Sequence, residues 1–180
     1  LKAIIRGSTG DHTLNGFSGA DILNGGNGKD DLFGNAGDDI PKGGTGADKL
    51  FGEEGNDFLE SGNGKNKLDG GIGNDGLLGG DHQDILIGGE GNDFLNGGAG
   101  ADTITGGIGA DNFYLDGNSS MKDIITDFNL GEGDRIITFN NLLFKDLSFS
   151  GNDILFGDKV LATLEGFETN SLDENNFHTI

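Results

Sequence analysis

The chain has 180 residues, 37 of them Gly and one Pro; a third are hydrophobic, and 31 acidic residues against 11 basic ones leave a formal net charge of −20. That acidity argues against nucleic acid and against anionic lipid, which both need Lys and Arg; with no Cys there is no disulfide framework and no thiolate metal site, and no apolar run approaches the roughly 18 residues that span a bilayer. Low hydrophobicity with high net charge ordinarily means disorder, unless a regular repeat shares one core among its neighbours or bound cations cancel the charge.

In chain order, Leu1-Lys-Ala-Ile-Ile-Arg6 comes first. It has no Met and no signal-peptide pattern, and reads as a lead-in strand (residues 1–6) at the cut end of a longer chain. A catalytic or adhesive domain upstream is left open.

From Gly7 to Tyr114 the sequence divides into twelve blocks of nine without an insertion, of the form G-G-x-G-x-D-x-L-x. Gly25-Gly-Asn-Gly-Lys-Asp-Asp-Leu-Phe33 is a clear case. The first position is Gly in eleven blocks, Ser61 excepted; the fourth is Gly in eleven, His82 excepted. The sixth is Asp in ten, with His12 and Asn66 as exceptions, and the eighth is apolar in all but the block with Pro41. Gly at positions one, two and four permits positive φ and leaves carbonyls unobstructed. Asp at six adds charged oxygens, and oxygen is what a hard cation such as calcium requires. Positions seven to nine read as a short strand, with position eight facing inward and seven and nine outward.

A turn after every nine residues reverses the chain, so two blocks make one 18-residue coil with a strand in each of two short parallel sheets. Twelve blocks give about six coils, stacked to a length of about 29 Å. The expected fold is all-β: a right-handed parallel β-roll over residues 7–114, with a β-rich capping region over 115–180. No coil can bury its own face, so folding requires several stacked neighbours.

Turns on one side come from alternate blocks. The even side reads Asp21, Asp39, Asp57, Asp75, Asp93, Asp111; the odd side reads His12, Asp30, Asp48, Asn66, Asp84, Asp102. With one calcium between successive turns of a side, the even side offers five complete sites. The odd side offers two, Asp30/Asp48 and Asp84/Asp102, and three weakened ones, two flanking Asn66 and one touching His12. Asn keeps a carbonyl ligand and loses the charge. His82 stands where Gly allows close approach.

These blocks resemble the RTX family of hemolysin-type calcium-binding proteins, which fold as calcium-bound parallel β-rolls. The resemblance implies that the position-six carboxylates and the carbonyls of the Gly-rich turns are ligands. Transferred to this chain, that means the ten aspartates above and Asn66. It adds the first-position Gly25, Gly34, Gly43, Gly52, Gly70, Gly79, Gly88, Gly97 and Gly106, and the fourth-position Gly28, Gly37, Gly46, Gly55, Gly73, Gly91, Gly100 and Gly109. About seven to ten calcium ions are expected. Departures at His12, Pro41, Asn66 and His82 put the first and middle odd-side sites in doubt.

Beyond Tyr114 the period stops. Asp123-Ile-Ile-Thr-Asp-Phe-Asn-Leu-Gly-Glu-Gly-Asp-Arg-Ile136 is similar to the segment that follows the roll in many RTX proteins. Phe149–Phe156 and Lys159–Leu164 read as strands around a Gly157-Asp158 turn, the body of a cap over the open solenoid end. Asp123, Asp127 and Asp134 read as surface carboxylates, with a further ion as the alternative. The resemblance also implies secretion through the type I machinery, with Ser171–Ile180 as candidate signal, and folding when the chain meets extracellular calcium.

No H-E-x-x-H helix, G-x-S-x-G elbow or P-loop is present, and His12, His82 and His178 lack metal-ligand spacing, so no enzyme is expected within these residues. Outward positions carry apolar ladders, Ile22, Ile40, Phe58 and Phe94 on one face and Phe33, Phe51 and Ile87 on the other. They read as stacked neighbours along the strands or as a docking face. Two function classes follow: a calcium-driven folding, export or adhesion module, or the non-catalytic C-terminal part of a secreted hydrolase or toxin.

Overall fold

A computed structural model describes residues 2–115, 121–138 and 142–179. Leu1, Ile180 and two short stretches of the capping region lie outside the described residues. In chain order the strands are β1 (Ile4–Arg6), β2 (Thr13–Asn15), β3 (Ile22–Asn27), β4 (Asp31–Ala36), β5 (Ile40–Thr45), β6 (Lys49–Glu54), β7 (Phe58–Asn63), β8 (Lys67–Ile72), β9 (Gly76–Gly80), β10 (Ile85–Glu90), β11 (Phe94–Gly98), β12 (Thr103–Ile108), β13 (Asn112–Leu115), β14 (Asp123–Ile125), β15 (Arg135–Thr138), β16 (Leu147–Ser150), β17 (Asp153–Phe156), β18 (Lys159–Leu164) and β19 (Phe177–Thr179). Among the described residues there is no α-helix, only three single-turn 3-10 segments, and no helix is long and apolar enough to cross a membrane.

The strands form two sheets. One takes the odd-numbered strands in the order β1-β3-β5-β7-β9-β11-β13-β15-β19; the other runs β16-β17-β18-β14-β12-β10-β8-β6-β4-β2. Within the roll every neighbour is parallel and shifted by 18 residues, as in Leu14↔Leu32, Leu50↔Leu68 and Leu86↔Ile104. This is the parallel β-roll of about six coils that the nine-residue period demands. From β3 to β12 each strand is longer than positions seven to nine: it continues into position two or three of the next block, so that Gly26 pairs with Gly44 and Asn27 with Thr45. Small Gly residues at one and two let this second half run close to the neighbouring coil.

The core is one column of position-eight side chains. Leu23, Leu32, Leu50, Leu59, Leu68, Leu77, Leu86, Leu95, Ile104 and Phe113 are all fully buried, in a single hydrophobic cluster. Pro41 sits buried in the same column. It has no N–H to give a ladder, and the pairing of β5 with β7 begins one residue later, at Lys42↔Glu60.

The sheets continue past the last repeat. β14 adds in parallel to β12, and β15 to β13. Their Ile125 and Ile136 are fully buried and extend the Leu column. The stretch read as one strand, Phe149–Phe156, is two: a turn at Gly151, with φ of 59°, separates β16 from β17. β17 and β18 then pair antiparallel around Gly157. Phe128 packs on Phe113, with ring centroids 5.9 Å apart, and on Phe167 at 5.2 Å, which closes the end of the core. The tail's β19 is the last strand beside β15, with Phe177 buried.

Candidate metal centre: two columns of turns

Every position-six Asp sits at the turn into its strand, and all ten are buried, none above 3% exposure. One carboxylate oxygen of each is spent on the fold. Oδ1 of an Asp accepts from the backbone N–H of the position-six residue one coil earlier, as in Asp39 from Asp21 at 2.6 Å, Asp57 from Asp39 at 2.7 Å and Asp102 from Asp84 at 2.8 Å. The rule holds at the start of both columns. Asp21 takes the N–H of Ala3, and Asp30 that of His12.

The second oxygen is different. Oδ2 of Asp30, Asp39, Asp48, Asp57, Asp75, Asp84, Asp93, Asp102 and Asp111 is buried without a hydrogen-bond partner. Nine orphaned charged oxygens in one small fold is a large desolvation cost unless something positive meets them. Asp21 is the exception, because its Oδ2 accepts from Phe17 N–H at 2.7 Å.

The turn carbonyls gather around the same points. A β-carbon placed on Gly34 would lie 2.6 Å from Asp39 Oδ2 and 2.7 Å from the carbonyl oxygen of Gly52, one coil on. First-position Gly therefore does not serve positive φ, as the sequence suggested; it leaves room for its own block's carboxylate and the next turn's carbonyl. Position four is where the left-handed backbone occurs, as at Gly46 with φ of 145°, where a β-carbon would run into the carbonyl oxygen of Gly28. Position two is left-handed as well, and Asn35 and Glu53 adopt φ of 77° there without being Gly.

A gap between two Asp-bearing turns beyond Asp21 thus has four kinds of oxygen: the position-four carbonyl of the first turn, its Asp Oδ2, and from the next turn the position-one carbonyl and Asp Oδ1. All are hard, and an all-oxygen set suits calcium, whose coordination is flexible, better than zinc or copper. Among the described residues no three Asp, Glu, His or Cys side chains converge on one point, as expected when most ligands are carbonyls. Burial without a cation pushes the carboxyls up, Asp57, Asp84 and Asp93 to about 7 and Asp75 and Asp111 to about 6. Asp21 goes the other way, held down by the N–H groups of Phe17 and Ala3.

Two column members lie outside the repeat. Asp123 accepts from Asp102 N–H and Asp134 from Asp111 N–H, each at 3.0 Å, and both are buried. Spacings of 21 and 23 residues hide them from an 18-residue search. The visible signal is local: Asp123-Ile-Ile125 and Asp134-Arg-Ile136 keep Asp and the apolar residue two apart. Asp127 is not in a column; it accepts from the N–H groups of Gly106 and Gly107.

At the irregular turns, His12 puts Nδ1 2.9 Å from Asp30 Oδ1. Asn66 accepts from Asp48 N–H at 2.9 Å and donates to the carbonyl of Gly64 at 3.0 Å. On the outer faces the ladders are stacked neighbours where rings meet: Phe33 and Phe51 lie 4.9 Å apart and nearly parallel, with Lys67 Nζ 5.4 Å above Phe51.

Solved structures similar to this chain include the extracellular lipase LipA from Serratia marcescens (18% identity, TM-score 0.44, 98% of this chain). Another is the AlgE6R3 subunit of the Azotobacter vinelandii mannuronan C5-epimerase (23%, 0.29, 96% of this chain and 80% of that one). The chain spans 39% of the lipase's length. A search of the curated proteins returns no match. The sequence model of the RTX calcium-binding nonapeptide repeat (4 copies) matches residues 6–41, 42–77 and 78–113. With the repeat matched over more than half of its length, and folded as two columns of Gly-rich, Asp-bearing turns, this chain belongs to the RTX calcium-binding repeat family.

Proposed function

We propose that this chain is the calcium-dependent β-roll of a secreted protein, folding when it meets calcium outside the cell, and acting as a structural and export element rather than a catalyst. Its ligands are Oδ2 of the nine aspartates from Asp30 to Asp111 with an orphaned oxygen, Oδ1 of the residue that follows each in its column, Asp123 and Asp134 included, and the carbonyls of positions one and four. One ion per orphaned carboxylate oxygen gives nine. The carrying observation is that set of nine buried Oδ2 atoms, six of which, in Asp39, Asp48, Asp57, Asp75, Asp84 and Asp93, lie beside the position-one carbonyl of the next turn, where a cation would join the two. Family membership supplies the ion. Export by the type I machinery and a catalytic or adhesive partner domain upstream are part of the same reading.

Binding to the folded state alone stabilises by RT ln(1 + [Ca]/Kd) per site. Many weak sites therefore act together, each with Kd of about 10⁻⁴–10⁻³ M for extracellular modules. The test is circular dichroism of chelator-stripped protein at neutral pH titrated with calcium. A cooperative gain of β-structure below about 10 mM is expected; an unchanged spectrum would sink the reading.

A further inference from the structure

Three departures from the repeat look scattered along the sequence: Ser61 at position one, Asn66 at position six, His82 at position four. In the fold they border one and the same gap, between the turn of Asn66 and the turn of Asp84. We propose that this gap holds no calcium, because the chain's own amide and hydroxyl groups close it, so that the odd column is two separate calcium columns. The inference rests on the calcium reading above and specifies it.

In every other gap from Asp30 to Asp102 on the odd side, a buried carboxylate Oδ2 is left without a partner. Here that place belongs to Asn66 Nδ2, which donates to the carbonyl of Gly64 at 3.0 Å. The amide orientation is fixed by its neighbours: Asp48 N–H can only donate, so it takes Oδ1 at 2.9 Å, and the Gly64 carbonyl can only accept, so it takes Nδ2. The position-one carbonyl of the next turn, Gly79, is occupied too, by a hydrogen bond from Ser61 Oγ. Ser61 is fully buried. It bears a side chain where a β-carbon in other blocks would meet the Asp carboxylate. Thus Gly64 O and Gly79 O each receive a protein donor, and the charged oxygen between them is replaced by N–H.

His82 completes the closure. At most other position-four glycines a β-carbon would run into the preceding turn's carbonyl oxygen, as at Gly73 with Gly55 O and at Gly91 with Gly73 O. His82 carries a β-carbon and lies outside the left-handed region those glycines use. Its own carbonyl still faces Gly100, so the following gap, Asp84 to Asp102, keeps its wall. The preceding gap, Asp48 to Asn66, also keeps its oxygens. Asp48 Oδ2 is orphaned there, the Ser61 carbonyl lies beside it, and Asn66 turns Oδ1 towards that side. Of the two sites that flank Asn66, one is open with one charge fewer, and one is shut.

The experiment is a calcium-soaked crystal of the whole chain, with anomalous difference maps at long wavelength, alongside native mass spectrometry of Ser61→Gly/Asn66→Asp/His82→Gly. Peaks in the Asp48/Asn66 and Asp84/Asp102 gaps and none in the Asn66/Asp84 gap are expected, with one additional ion in the triple variant. A peak in the Asn66/Asp84 gap beside the others overturns this inference alone. Absence of ions from every gap overturns the calcium reading and this inference with it. An unchanged ion count in a folded triple variant overturns the roles given to the three residues; if that variant does not fold, the wild-type map decides.

Discussion

A position-six Asp serves two gaps at once, Oδ1 towards the coil before it and Oδ2 towards the coil after it. Asp57 does so with carboxylates on both sides, Asp39 and Asp75. Asn66 serves only the gap behind it. Asp57→Ala is therefore expected to weaken calcium binding by tenfold or more, about 1.4 kcal/mol per decade, and Asn66→Ala by less; isothermal titration of the two variants would show equal losses if sites were not shared. First-position Gly gives a second residue-level expectation. In Gly88→Ala the new methyl lands on Asp93 Oδ2 and the Gly106 carbonyl. That variant should need more calcium to fold, whereas Gly151→Ala, whose β-carbon meets nothing within 4 Å, should cost only the roughly 1 kcal/mol of a left-handed backbone. Calcium midpoints of the two by circular dichroism compare them.

The strand is where the sequence was most legible and where it misled. An apolar side chain at position eight, Leu in nine of twelve blocks, marks every rung but that of Pro41, because a side chain that faces the shared core has no polar alternative, and Leu59→Ala should cost about 2–5 kcal/mol as it would in any tight core. The strand's second half was not legible. Positions one to three are rich in Gly, Asn and Glu, as in Gly25-Gly-Asn and Gly52-Glu-Glu. These are poor strand formers that take a ladder only because a neighbour 18 residues away supplies it. The two extra column members, Asp123 and Asp134, escaped because insertions broke the count while the local Asp-x-Ile was kept. Ser61, Asn66 and His82 were legible as departures but not as one gap, since they lie 21 residues apart in the chain and meet only through the coil. At the end of the roll the element that matters is the ring stack. Phe128→Ala removes the side chain between Phe113 and Phe167 and should lower stability in saturating calcium by about 3–5 kcal/mol. A thermal midpoint equal to wild type would mean that the cap does not seal the core.

Charge sets the behaviour of the whole molecule. Nine divalent ions would offset all but about two of its twenty formal negative charges, so calcium and protons compete for the same task. Without calcium, burial raises Asp57, Asp84, Asp93 and Asp123 to about 7 and Asp75 and Asp111 to about 6, against 3.8 in a free chain. A group whose pKa is raised on folding binds more protons folded than unfolded, so the stability it gives is complete below about 3.8 and is lost as pH climbs through 6 to 7. The calcium-free roll is thus expected to gain β-structure on acidification from pH 8 to pH 4 in chelator. With calcium the sign reverses, because the ion needs ionised carboxylates. The calcium midpoint should rise as pH falls from 8 to 5, and addition of calcium near pH 6 should release protons that a pH-stat can count. A calcium-free chain equally unfolded at pH 4 and pH 8, or calcium uptake without proton release, would show that something other than the buried columns governs the fold.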